Sequence, residues 1–305
     1  MKRFLFTISV LLVTAIGATA QSPYINRVYE YRPAPGQFVN EMPSYEEGDT
    51  PEDMARKAEE CIAHDERVLI SLGSYGGYVT FGFDHMIENR PGKMDFQILG
   101  NAFYSNANPN PNASKEGCSC EPGIVMVSHD ANGNGEPDDA WYELAGSETS
   151  KPETIRDYKV TYYRPDASGV PVKWTDNMGA SGEIDYLEQF HSQDSYYPSW
   201  IMADSYTLSG TLLKARNYDK SGNGSYWING SYDWGYADNF SATDFVADKR
   251  SNLFEISNAI DAKGKAVSLP YIDFVKVQCA VNAKSGWLGE VSTEVSAIYD
   301  YSMKQ

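Results

Sequence analysis

Cysteine and histidine are scarce, with four of each in 305 residues. The four histidines (His64, His85, His129 and His191) show no metal-ligand spacing such as H-x-x-x-H. Four cysteines (Cys61, Cys118, Cys120 and Cys279) allow three disulfide connectivities and favour none. A direct bridge between Cys118 and Cys120 would be strained, and a lone Cys-x-Cys lacks the second pair of a zinc site. No G-x-S-x-G elbow is present. Positive charge is also short: 25 Lys and Arg face 42 Asp and Glu, a net charge of −17. Such a balance repels phosphate backbones and anionic lipid surfaces, so it argues against nucleic-acid and membrane-surface binding. The longest apolar stretch, residues 4–16, is too short to span ~30 Å of hydrocarbon.

That stretch has another reading. Lys2 and Arg3 precede it, and Ala18-Thr19-Ala20 follows with the small-x-small form of a cleavage site. Residues 1–20 are expected to be a secretory signal peptide, leaving an exported mature chain without a transmembrane segment. The full chain is 42% hydrophobic and 13% aromatic, with 22 Tyr, enough to fill a core and leave rings for a surface.

Residues 21–49 are Pro-rich and read as irregular. Thr50, Pro51 and Asp53 then spell a capping box, and Met54, Ala58, Cys61 and Ile62 recur along one helical face. Beyond His64 the pattern alternates in short runs: 68–72, 78–84, 94–99, 123–128, 141–144, 158–163, 170–174, 206–213, 225–228, 253–257, 273–281 and 291–299. Turn residues separate them, as in antiparallel sandwiches. The expected fold is mostly β: one jelly-roll-like β-sandwich over residues 50–305, with one N-terminal helix and long loops.

The sharpest motif is Asp130-Ala-Asn132-Gly-Asn134-Gly-Glu136-Pro-Asp138-Asp139. Oxygen-bearing side chains at positions 1, 3, 5 and 9 and Gly at 6 match a Ca²⁺ loop, with the Glu136 carbonyl at position 7. Position 12 is Trp141 and the flanks read as strands, so the loop is not an EF-hand; a structural Ca²⁺ held by Asp130, Asn132, Asn134, Glu136 and Asp138 is expected. The competing reading is an Asx-rich hairpin turn. Asp219-Lys-Ser-Gly-Asn-Gly224 repeats the pattern weakly and reads as a turn.

Residues 196–239 are dense in rings, Asp and Asn. Flat rings stack on sugar faces while Asp and Asn accept hydroxyl hydrogen bonds. Tyr197, Trp200, Trp227, Trp234, Tyr236, Asp238 and Asn239 are therefore candidate ligand-binding residues, against the plainer reading that most are core. Carboxylates such as Glu143, Glu121 and Asp138 supply a candidate acid pair for glycoside hydrolysis, but so many acids make chance pairing easy.

Several phrases resemble a family of secreted bacterial cell-surface proteins, often labelled PKD-domain-containing. They are Leu72-Gly-Ser-Tyr-Gly-Gly-Tyr-Val-Thr-Phe-Gly-Phe-Asp84, Asp95-Phe-Gln-Ile-Leu-Gly-Asn-Ala-Phe103, Glu121-Pro-Gly-Ile-Val-Met-Val127, the Asp130 loop with Trp141-Tyr-Glu-Leu144, Asp273-Phe-Val-Lys-Val277 and Gly289-Glu-Val-Ser-Thr-Glu294. The resemblance covers roughly residues 65–300 and implies export and a β-sandwich. It singles out Asp84, Asn101, Glu121, Asp130, Trp141, Glu143 and Glu294, with Glu121 and Glu294 as acids near the sandwich rim and Asn101 at a strand end. It also implies outer-membrane uptake complexes for glycans or corrinoids as the setting. The expectation is an exported, calcium-stabilised binding protein for a glycan or other small nutrient. A carbohydrate-active hydrolase, a structural or adhesion surface protein, and a corrinoid-capture component are the alternatives.

Overall fold

A computed structural model describes residues 21–104, 118–246 and 249–304. The expected signal peptide lies outside them. Among the described residues the chain is mostly β, with several antiparallel sheets and one α-helix. Among the described residues no helix is long and apolar enough to cross a membrane.

The largest sheet has six strands in the order Arg27–Arg32, Tyr78–Glu88, Tyr271–Cys279, Gly123–Ser128, Trp141–Leu144 and Ala259–Ile260, all antiparallel. Alternation divides its faces. Val79, Phe81, Val125, Val127, Val275 and Val277 point into the main core, where they meet Phe96, Ile98, Phe254 and Ile298 of a four-stranded sheet. The opposite face carries Tyr78, Lys276, Gln278 and Trp141 and lines a cavity. The helix Pro51–Ile62 closes the main core with Met54, Ala55, Ala58 and Ile62. Its capping box forms as expected: Asp53 N–H donates to Thr50 Oγ1 (3.2 Å) and Thr50 N–H to Asp53 Oδ2 (3.1 Å).

A second four-stranded antiparallel sheet (Ser181–Ile184, Val172–Asp176, Ile155–Tyr163, Ser205–Leu212) builds its own core from tyrosines. Tyr75, Tyr158, Tyr162, Tyr196, Tyr197 and Tyr206 are buried there. Each buried hydroxyl needs a partner, since an unpaired one costs about 1–3 kcal/mol. Tyr162 donates to the Tyr75 carbonyl and Tyr206 to the Pro33 carbonyl, both at 2.8 Å. The strand Arg27–Arg32 corrects the irregular reading of residues 21–49. Its Arg and Glu positions broke the apolar alternation, yet it pairs with Tyr78–Glu88 through a register shift at Val28/Glu30. Cys61 and Cys279 are free thiols.

Candidate functional site

The site is assembled from four distant segments that sheet pairing brings to one rim. Glu121 precedes the strand Gly123–Ser128, and Asp238 follows the bridge between Ala237 and Gly123. Glu294 lies in the short strand Glu294–Val295, paired with Ile70–Ser71. Asn101 sits just past the strand Phe96–Leu99. Carboxylate oxygens of Glu121, Asp238 and Glu294 all lie within 4.8 Å of one another.

Three acids this close cannot all stay charged without help, and each obtains help differently. Asp238 is buried and takes three backbone N–H bonds: Asn101 (2.7 Å) and Ala102 (2.8 Å) on Oδ1, and Glu294 (3.0 Å) on Oδ2. Gly100 permits the approach, because a Cβ there would sit 2.5 Å from Asp238 Oδ1. Burial raises the Asp238 pKa to about 6, with the N–H donors pulling the other way. Glu121 and Glu294 hydrogen-bond to each other. Burial and neighbouring negative charge raise both well above the ordinary glutamate value, so the pair retains a proton between them. Glu294 also accepts from Asn101 Nδ2 (3.2 Å) and Ser71 Oγ (3.4 Å). These oxygens are close enough to hold a cation; a shared proton relieves the same repulsion without one.

Glu121 and Glu294 line a cavity of about 440 Å³, in the range of small-molecule sites. Its wall carries a fourth acid, Glu290. Glu290 Oε1 accepts the Gln37 N–H at 2.7 Å, and Oε2 is buried without a hydrogen-bond partner. Burial lifts Glu290 to about 7. The mouth is apolar and exposed: Phe103 (42%), Phe190 (53%), Trp287 (43%) and Leu288 (36%). The Phe190 and Trp287 rings stand 5.7 Å apart. So many exposed large side chains around one opening mark a contact surface.

The residues expected to bind ligand are dispersed by the fold, and only Asp238 joins this site. Tyr197, Trp200, Tyr236 and Asn239 are buried. Trp200 stacks between Tyr31 (5.8 Å) and Tyr45 (6.2 Å), and Tyr197 packs on Tyr206. Tyr236 accepts the Glu148 N–H, and Asn239 brackets the backbone of Tyr232. Their ring faces are already occupied by protein. Trp227 is half-buried, and Trp234, 36% exposed, borders a separate cavity of about 200 Å³. The rings that do face the acid cavity were missed because they are isolated in sequence. Trp287 had one signal, a single indole in the glycine-flanked Ser285-Gly-Trp-Leu-Gly289.

The Asp130 loop forms a curl whose side chains turn inward on its own backbone. Asp130 Oδ1 accepts the Gly133 and Asn134 N–H groups, and Oδ2 that of Gly135. Asn132 Oδ1 accepts from Asn134, and Asn134 Oδ1 from Glu136. The Asn132 and Asn134 amides both reach Asp138, at 3.0 Å. Gly133 and Gly135 take positive φ angles (73° and 75°), which the curl requires. Asp130 Oδ1 already takes two N–H groups, whereas Asp130 Oδ2 and the Asn132, Asn134 and Asp138 oxygens each take one and keep a lone pair. The Glu136 side chain turns away to Arg27 (3.4 Å), and its carbonyl accepts the Asp138 N–H (2.9 Å). Asp84 lies elsewhere, bonded to His85 at 2.7 Å. Trp141 and Glu143 line the second large cavity, where Thr211 donates to Glu143 at 2.6 Å.

The chain matches no protein-family model and no curated protein.

Proposed function

We propose that this chain is an exported binding protein that takes a glycan, or another small hydroxyl-rich nutrient, into the acid-floored cavity at the cell surface. The observation that carries this reading is the ring of exposed Phe103, Phe190 and Trp287 around buried carboxyl groups. Indole and phenyl faces stack on the apolar face of a sugar ring. A protonated carboxyl donates to a hydroxyl and an ionised one accepts from it, so the mixed set Glu121, Glu290 and Glu294 can address both ends of a hydroxyl network.

Binding is favoured over hydrolysis by the spacing. Glycoside cleavage needs two carboxyl groups ~5 Å or more apart, flanking the scissile bond. One oxygen from each of Glu121, Asp238 and Glu294 lies within 4.8 Å of the others, and Glu121 and Glu294 are bonded to each other, so they do not stand across a scissile bond. In this reading a Ca²⁺ ion in the Asp130 loop stabilises the fold and takes no part in recognition. Calorimetric titration of a panel of neutral oligosaccharides tests the proposal. One-to-one binding by a member of the panel is expected; no heat from any of them at millimolar concentration would reject a glycan ligand.

A further inference from the structure

A second cavity, about 460 Å³, is of a different character. Its floor is the outer face of the six-stranded sheet, and one wall is the strand Ser205–Leu212. Three cations face it: Arg32, Arg156 and Lys276. In a chain with a net charge of −17, three cations on one concave surface need an explanation.

Their partners are few. Arg156 approaches Glu143 at 3.7 Å. Lys276 Nζ lies 4.8 Å from the Tyr78 ring centre and 4.5 Å from that of Trp141. The Arg32 guanidinium is 5.7 Å from the Tyr206 ring centre. Among the described residues neither Lys276 nor Arg32 makes an ion pair or a side-chain hydrogen bond. Cation–π contacts hold these groups in place but leave the N–H donors open. Burial lowers the Lys276 amine from its ordinary value, with Glu30 acting weakly the other way.

The acids around the cavity answer them only in part, Glu30 acting on Lys276 from across Thr80. Glu143 is engaged by Thr211 and Arg156. Asp261 folds into its own turn, accepting the Lys263 and Lys265 N–H groups through Oδ1. Asp157 is exposed at the rim. Apolar surface fills the remaining walls, from Ile124, Met126, Leu208 and Ile260.

We infer that this cavity binds a carboxylate-bearing sugar, of the hexuronate class, with its carboxylate between Arg32 and Lys276 and its ring against the apolar wall. A guanidinium fork matches a carboxylate in two parallel bonds, and the ammonium supplies a second charge. The acids nearby limit the net positive field, which suits a single negative charge better than a phosphate dianion. This site does not depend on the reading of the acid-floored cavity.

The test is calorimetric titration of the full mature chain with digalacturonate, the matching neutral digalactose, and inorganic phosphate. Digalacturonate is expected to bind, and digalactose at least tenfold more weakly. Arg32→Gln and Lys276→Met are each expected to weaken digalacturonate at least tenfold, whereas Trp287→Ala in the other cavity leaves it within twofold. Should Lys276→Met fail to fold, Arg32→Gln decides alone, since its side chain lies on an edge strand. Equal affinity for the neutral sugar, tighter binding of phosphate, unaltered binding by the folded variants, or no uronate binding at millimolar concentration would each overturn the assignment.

Discussion

Two of the cavities are almost equal in volume, about 440 and 460 Å³, and differ in charge. One gathers Glu121, Glu290 and Glu294 under an aromatic mouth; the other gathers Arg32, Arg156 and Lys276 against Trp141 and Tyr78. They also solve burial differently. In the acid cavity, charge is removed by a shared proton or absorbed by the backbone N–H groups on Asp238. In the other, Arg32 and Lys276 rest on ring faces and keep their donors open, while Arg156 approaches Glu143. A net charge of −17 governs long-range encounter, but a local site follows from which face of which strand carries each residue.

The strongest way to break the contrast is to remove the acid cavity's anchor. Asp238→Ala leaves three backbone N–H groups without their acceptor, and urea unfolding should show a loss of about 3–5 kcal/mol. A loss below ~1 kcal/mol would mean that water replaces the carboxylate freely. Asp238→Asn retains an acceptor oxygen and should lose less.

The Asp130 loop is tied to the second cavity, because Trp141 Nε1 donates to the Pro137 carbonyl (3.3 Å) while its ring faces Lys276. Chelation should therefore lower thermal stability, and added Ca²⁺ restore it, by ~2.7 kcal/mol when free ion exceeds the dissociation constant a hundredfold. Asp130→Ala should abolish that response. An identical melting curve with and without chelator in the native chain would remove Ca²⁺ from the account.

A smaller effect sharpens the acid side. Between the ordinary glutamate value of 4.5 and the raised value of about 7, native Glu290 holds a proton that the unfolded chain has released. Unfolding free energy contributed by this group is therefore full below that window and falls as pH rises through it, by up to ~1.4 kcal/mol per pH unit. Glu290→Gln does not titrate, so its stability should decline less steeply between pH 5 and 7. Parallel stability profiles would show that Glu290 is ionised throughout.

Local patterns were readable from the sequence; convergence was not. The helix and its cap follow from Thr50, Pro51 and Asp53, and most strands from alternation. Glu121, Asn101 and Glu294 emerged from a family-like pattern, and Asp238 from the aromatic segment. Nothing in the chain's order shows that residues 101, 121, 238 and 294 meet, because strands distant in sequence bring them together. Ring density misled in the opposite sense. The tyrosines and tryptophans of 196–239 are dense because a tyrosine-built core needs them, so several of the expected binding rings lie inside. The exposed rings, Phe190 and Trp287, stand singly in loops.

The central claim is that recognition occurs at the acid-floored cavity and not along residues 196–239. It is tested most directly by titrating the oligosaccharide bound by the native chain against two variants of equally accessible tryptophans, Trp287→Ala and Trp234→Ala. The account predicts at least a tenfold loss for Trp287→Ala, about 1.4 kcal/mol or more, and a change within twofold for Trp234→Ala. Loss of binding in Trp234→Ala with Trp287→Ala unaffected would contradict it.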